Sequence, residues 1–126
     1  MNITIAVPTQ RLADMMIGAL EGGSNYWLVG CRLESPSKTG LSDTPWYASP
    51  ELYENPALKI VFTYSEDDDD SEHTEKAVTL EEIILGTQAM SAKAPQHFAD
   101  IMSEHDDATT ADVWLQYVLF GEIVYG

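Results

Sequence analysis

Residues 58–82 read LKIVFTYSEDDDDSEHTEKAVTLEE, and the change of pattern along this stretch decides the fold class. Leu58 to Tyr64 sets Ile60 and Phe62 against Lys59, Val61 and Thr63, the two-residue period of a strand. Thr74 to Val78 reads as the return strand of an antiparallel hairpin, with the acidic residues in its connection. Thr79-Leu80-Glu81-Glu82 then forms a capping box, in which Thr79 and Glu82 satisfy each other's free backbone amides at a helix start. From there Leu80, Ile83, Ile84 and Thr87 make an apolar stripe running toward Lys93.

Outward from this core, both flanks fit the same class. Pro95 opens another helix with Phe98, Ile101 and Met102 inward. Thr109-Thr110-Ala111-Asp112 resembles a second capping box, with Asp in place of Glu, and Val113, Trp114, Tyr117 and Val118 face the core until Gly121. Toward the N-terminus, Asn2 to Val7 alternates as a short strand. Pro8-Thr9 begins a helix with Leu12, Met15, Met16, Ala19 and Leu20 on one face, ended by Gly22-Gly23. Tyr26 to Leu33 reads as a second strand, closed by Glu34-Ser35-Pro36. Residues 35–57 form an ordered loop anchored by Trp46, Tyr47 and Tyr53, with one helical turn over Pro50 to Glu54. The expected fold is α+β: one domain, a small, mainly antiparallel sheet with about four helices, and a helical C-terminal third.

The chain has 126 residues and a formal net charge of −15. That length permits a core without disulfides or a structural metal. The single cysteine, Cys31, cannot form an internal bridge and points to a reducing, cytoplasmic setting. No apolar run reaches the length of a spanning helix, and Met1 to Ile5 lacks the pattern of a signal peptide.

The charge is distributed unevenly. Residues 1–63 hold six acids and four bases, whereas residues 64–126 hold fifteen acids against Lys76 and Lys93. Such a surface disfavours direct contact with nucleic acid or an anionic membrane and selects a basic partner.

No catalytic motif accompanies the charge: there is no P-loop, no G-x-G-x-x-G and no G-x-S-x-G. The run Glu66-Asp67-Asp68-Asp69-Asp70-Ser71-Glu72 has the alternating oxygens of a calcium loop. It lacks the glycine at the sixth position and the glutamate at the twelfth. The remaining readings are a solvated hairpin loop that guards a sheet edge and a partner-binding patch. As a patch it matches a groove built for phosphates. Alternate residues of an extended chain lie about 6.6 Å apart, near two base steps of about 3.4 Å each.

His97, Asp100 and Glu104 share one helical face, a candidate metal or acid–base group. Asp106 and Asp107 are better placed as acids before a helix start. Tyr26-Trp27 and Trp46-Tyr47 could stack a base, but no basic residues interleave with them, which favours packing. Neither a metal nor a cofactor is expected.

Two segments carry a resemblance. Glu21-Gly22-Gly23-Ser24-Asn25-Tyr26-Trp27 is one; the other is the ending from His97-Phe98-Ala99-Asp100 through Asp112-Val113-Trp114-Leu115-Gln116 to Gly121-Glu122-Ile123-Val124-Tyr125-Gly126. Both are similar to segments of small acidic proteins encoded in tailed-phage genomes. That resemblance implies work inside a bacterium. By analogy with other small acidic phage proteins it also implies inhibition of DNA-handling machines such as CRISPR effectors or restriction enzymes. It carries no catalytic residues.

The leading expectation is a non-enzymatic, anti-defence inhibitor that mimics DNA in the basic groove of a host protein. Its contact residues would be Glu66, Asp67, Asp68, Asp69, Asp70 and Glu72, extended by Glu75, Glu81 and Glu82, with a second group at Glu104, Asp106 and Asp107. The alternative is an interaction or regulatory module whose contact is made by Tyr26, Trp27, Trp46 and Tyr47.

Overall fold

A computed structural model of the chain describes residues 7–65, 73–103 and 107–126. The strand expected over Asn2 to Val7 lies, except for Val7, outside the described residues. The first described element is helix α1 (Thr9–Gly18), which buries Leu12, Ala13, Met15 and Met16 on the face that the spacing indicates. Its last turn widens into a single π turn over Ala19–Gly23, closed by Ser24 N–H donating to the Ala19 carbonyl at 2.9 Å.

The chain then turns through residues 24–27 into β1 (Leu28–Ser35), two residues later than the sequence pattern indicates. Tyr26 and Trp27 therefore belong to the turn. Their hydroxyl and indole N–H bond to a side chain of another element, and the strand starts only after them. β1 pairs with β2 (Lys59–Tyr64), which pairs with β3 (Thr74–Thr79), giving an antiparallel sheet of order β1-β2-β3. The register places Cys31, Phe62 and Lys76 side by side and, next to them, Arg32, Val61 and Ala77.

One face of this sheet supplies Ile60, Phe62, Tyr64 and Val78 to the core. On the other face Val61 is only 5% exposed although it points away from the helices. Arg32 on β1 reaches Glu75 on β3 at 2.9 Å, and the long arginine stem covers the middle strand.

The loop between β1 and β2 is ordered by its own side chains. Two 3-10 turns, Trp46–Ala48 and Pro50–Glu54, bury Leu52 and Tyr53, and the Tyr53 hydroxyl donates to the Tyr47 carbonyl at 2.6 Å. Glu51 accepts from the Ser42 amide at 2.8 Å and from its hydroxyl at 2.7 Å.

Three helices complete the chain: α2 (Leu80–Lys93), α3 (Pro95–Met102) and α4 (Ala108–Phe120). The α2 capping box forms as expected, Thr79 Oγ1 accepting from Glu82 N and Glu82 accepting from the Thr79 amide. The buried face of α2 is rotated from the expected stripe, however. Ile83, Gly86, Thr87 and Met90 are inside, and Ile84 is 41% exposed. Gly86 sets this rotation. A Cβ there would stand 2.4 Å from Val118 Cα, so α2 presses its backbone on α4 at this point and Ile84 swings outward. On α3, Ile101 is buried but Met102 is exposed, correcting the inward place expected for it.

Helix α4 departs furthest from the one-faced reading. Every residue from Thr110 to Leu119 is buried, because α1, α2, α3 and β3 surround it. A helix enclosed on all sides needs no polar face, which is why its hydrophobic residues show little periodicity. Its N-cap is Asp107, whose carboxylate accepts from Thr110 N at 2.9 Å. Asp112 is therefore not part of a capping box. Gly121 closes the helix in the left-handed conformation, φ 73°, that glycine adopts without a Cβ penalty.

Candidate functional site

Eight of the twelve acids expected to contact a partner lie outside the described residues: Glu66, Asp67, Asp68, Asp69, Asp70, Glu72, Glu104 and Asp106. The frame of the first six is described. Tyr64 pairs with Thr74, so the acidic run is the connection between two paired strand ends.

Three of the four described acids also have intramolecular tasks. Glu75, exposed on β3, pairs with Arg32. Glu82 completes the α2 capping box. The hydrogen bond from the Thr110 amide, aided by the helix start, holds Asp107 below the usual carboxylate range. Glu81 is exposed in the first turn of α2, where a negative charge complements the helix dipole. Glu75 and Glu82 stand at opposite ends of the β3–α2 junction. Among the described residues no three His, Cys, Asp or Glu side chains converge as a metal site; Glu104, the third member of the group with His97 and Asp100, lies outside them. His97 Nδ1, which is buried, finds no hydrogen-bond partner among the described residues.

The two lysines of the acidic half carry a role that was not evident from their spacing. Lys76, on the helix-facing side of β3, donates to the Leu119 carbonyl. Lys93, at the end of α2, donates to the Gly121 carbonyl at 3.2 Å. Both ammonium groups thus sit at the C-terminal end of α4, where its unpaired carbonyls and its dipole favour a cation. The basic residues of residues 64–126 are gathered at one helix end, and among the described residues Glu75 of that segment pairs with Arg32.

A polar centre appears where packing alone was expected. Asp112, 6% exposed, accepts from Ser24 Oγ at 2.8 Å and Trp27 Nε1 at 2.7 Å through one oxygen. Through the other it accepts from the Tyr26 hydroxyl at 2.5 Å and Gln116 Nε2 at 3.1 Å. Four donors thus converge on the two oxygens of one buried side chain. Burial first, and then Asp112, push the Tyr26 hydroxyl up to about 12.

Gln116 continues the network, its Oε1 accepting from Val124 N at 2.7 Å and Tyr125 N at 2.8 Å. Tyr125 stacks on Trp27 with ring centroids 5.1 Å apart and planes 7° from parallel. The trace of this centre in the sequence is Asp112 and Gln116 at i and i+4 inside an otherwise apolar run.

The aromatic pairs of the alternative reading are largely committed. Trp27 is buried against Tyr64, Phe120 and Tyr125. Trp46 and Tyr47 are half-buried, with the Tyr47 hydroxyl donating to Glu21 at 2.7 Å. Burial and Glu21 push that hydroxyl up to about 12. Only Tyr26, 59% exposed, presents a substantial ring face. Cys31 is partly buried, which pushes its thiol up to about 11 and keeps it protonated at neutral pH. No described helix is long and apolar enough to cross a membrane.

No protein-family model, curated protein or solved structure matches this chain.

Proposed function

We propose that the protein is a non-enzymatic inhibitor that occupies the basic nucleic-acid groove of a bacterial DNA-handling or defence protein, in the cytoplasm of the host. The observation that carries this reading is the placement of Lys76 and Lys93 at the C-terminal end of α4. They are the only Lys or Arg among residues 64–126, which hold fifteen acids. The acidic run connects Tyr64 and Thr74, which pair as neighbouring strand ends of the sheet. The similarity of residues 21–27 and 97–126 to acidic phage proteins supplies the biological setting.

The target is a basic protein. Carboxylates on Glu66, Asp67, Asp68, Asp69, Asp70 and Glu72 take the place of phosphates, and Glu75 and Glu81 extend them. Association of this kind is fast and falls steeply with salt, because screening shortens to about 8 Å at physiological ionic strength. Replacing Asp67, Asp68, Asp69 and Asp70 with Asn is expected to weaken binding to the target and flatten its salt dependence. An unchanged affinity and salt slope would refute the mechanism. Trp27 is buried and Trp46 and Tyr47 are half-buried, so among the residues of the aromatic alternative Tyr26 presents the exposed ring.

A further inference from the structure

Strand β1 forms one edge of the described sheet, so every second backbone N–H and C=O along it faces away from β2. Such a row is a template for another strand. Register shifts at Val29 and Glu34 confine the regular ladder with β2 to residues 30–33, and Val29 is 54% exposed. Within that ladder Gly30 stands in the open. A Cβ built on it meets nothing within 4 Å, and its φ is not among the positive values that glycine alone adopts freely. Nothing in the described chain therefore calls for a glycine there. An interior strand glycine of this kind marks a place where another chain approaches closely.

The strand is self-complementary about Cys31. Cys31 and Leu33 pack toward the core, while Gly30 and Arg32 alternate with them on the other face, a gap and a long side chain on either side of one residue. An antiparallel pairing of two β1 strands about a two-fold axis at Cys31 sets Arg32 of each copy opposite Gly30 of the other. It also brings the exposed Val29 level with Leu33 of the other copy. Moving the axis to Arg32 would oppose two like charges, which is unfavourable across strands.

Charge selects this edge as well. β1 holds one base, Arg32, and one acid, Glu34, whereas β3 at the other edge follows the acidic run. Leu28, Tyr64 and Thr74 lie level across the sheet, so antiparallel pairing of β1 sends the two Tyr64–Thr74 ends in opposite directions. Two copies of a chain with a net charge of −15 thus meet where their repulsion is smallest.

We propose that the protein self-associates through β1 as a two-fold dimer, the three strands of each copy joining in one six-stranded sheet. The inference does not depend on what the acidic run binds.

The test is sedimentation of the full chain at rising concentration, with amide hydrogen exchange on the same samples. One strand pairing buries few side chains, so a dissociation constant on the order of 100 µM is expected. Amides within residues 29–33 should gain protection as the concentration rises. Gly30→Lys places a cation opposite Arg32 of the other copy, and Gly30→Glu places an anion there. The open space at Gly30 lets both variants fold, which circular dichroism checks. Each substitution enters the interface twice, so Lys is expected to weaken the dimer about tenfold and Glu to strengthen it about as much. A monomer at concentrations of about 1 mM, ten times that constant, would overturn the proposal. So would a dimer that ignores both substitutions or weakens equally with both, or protection that gathers on Thr74–Thr79 and leaves β1 unchanged.

Discussion

Replacing Asp112 with Asn leaves Ser24, Tyr26, Trp27 and Gln116 donating to a group that has lost one acceptor oxygen and gained donors of its own. The cost is expected to be about 3 kcal/mol, since buried donors are left unpaired, and is read as a lower denaturant midpoint. Tyr26→Phe removes only one donor and should cost about 1 kcal/mol. The same hydroxyl gives a pH signature. Its folded value of about 12 lies above the ordinary tyrosine value near 10, so its contribution is complete below pH ~10 and is lost as the pH rises through ~12. The Tyr47 hydroxyl beside Glu21 shares that window. Tyrosinate absorbance followed together with unfolding should show late ionisation of both; titration of every tyrosine near pH 10 in the folded protein would contradict the placement. Asp112 also shows why this centre was hard to read. Preceded by Thr109-Thr110-Ala111, it has the local pattern of a capping residue. Only the turn of residues 24–27, more than eighty positions away in sequence, brings it three donors.

At the scale of elements, local chemistry was legible wherever it decided the outcome. The Thr79/Glu82 box, the Ile60/Phe62 alternation, the Pro50–Glu54 turn and the Gly121 terminus all rest on neighbours in sequence, and all four form. The α+β class follows from them. Rotation about an axis is not local. The face that α2 presents depends on Gly86 meeting Val118, and the full enclosure of α4 depends on four other elements. Gly86→Ala should therefore cost about 1–3 kcal/mol despite the better helix propensity of alanine. A gain in melting temperature for that variant would mean that α2 and α4 do not touch there. Replacing Lys76 with Met removes the donor to the Leu119 carbonyl and is expected to loosen the end of α4. Faster amide exchange over residues 117–121 would report it, and unchanged exchange would contradict the capping role.

For the whole molecule, the governing quantity is a net charge of −15 on a domain whose acidic half concentrates its lysines at one helix end. Self-repulsion of that size predicts a melting temperature that rises with added salt. A melting temperature indifferent to salt would mean that the acids are already compensated. Asp107, held below the usual carboxylate range by the Thr110 amide, contributes to the acid side of the pH dependence. Its contribution is present above the unfolded value near 4 and lost as the pH falls through the lower folded value. The candidate contact surface was legible as charge, because a run of acids announces itself without any fold. The centre around Asp112 was not, since the turn of residues 24–27, helix α4 and the last residues compose it jointly.

The most direct measurement is capture of partners from a bacterial lysate carrying defence systems, with elution by rising salt and, in parallel, by duplex DNA. A basic nucleic-acid-binding protein that leaves at moderate salt, is displaced by DNA and is not captured when Asp67 to Asp70 are Asn is the expected result. A neutral partner held through high salt, indifferent to DNA and captured equally by that variant, would contradict groove mimicry.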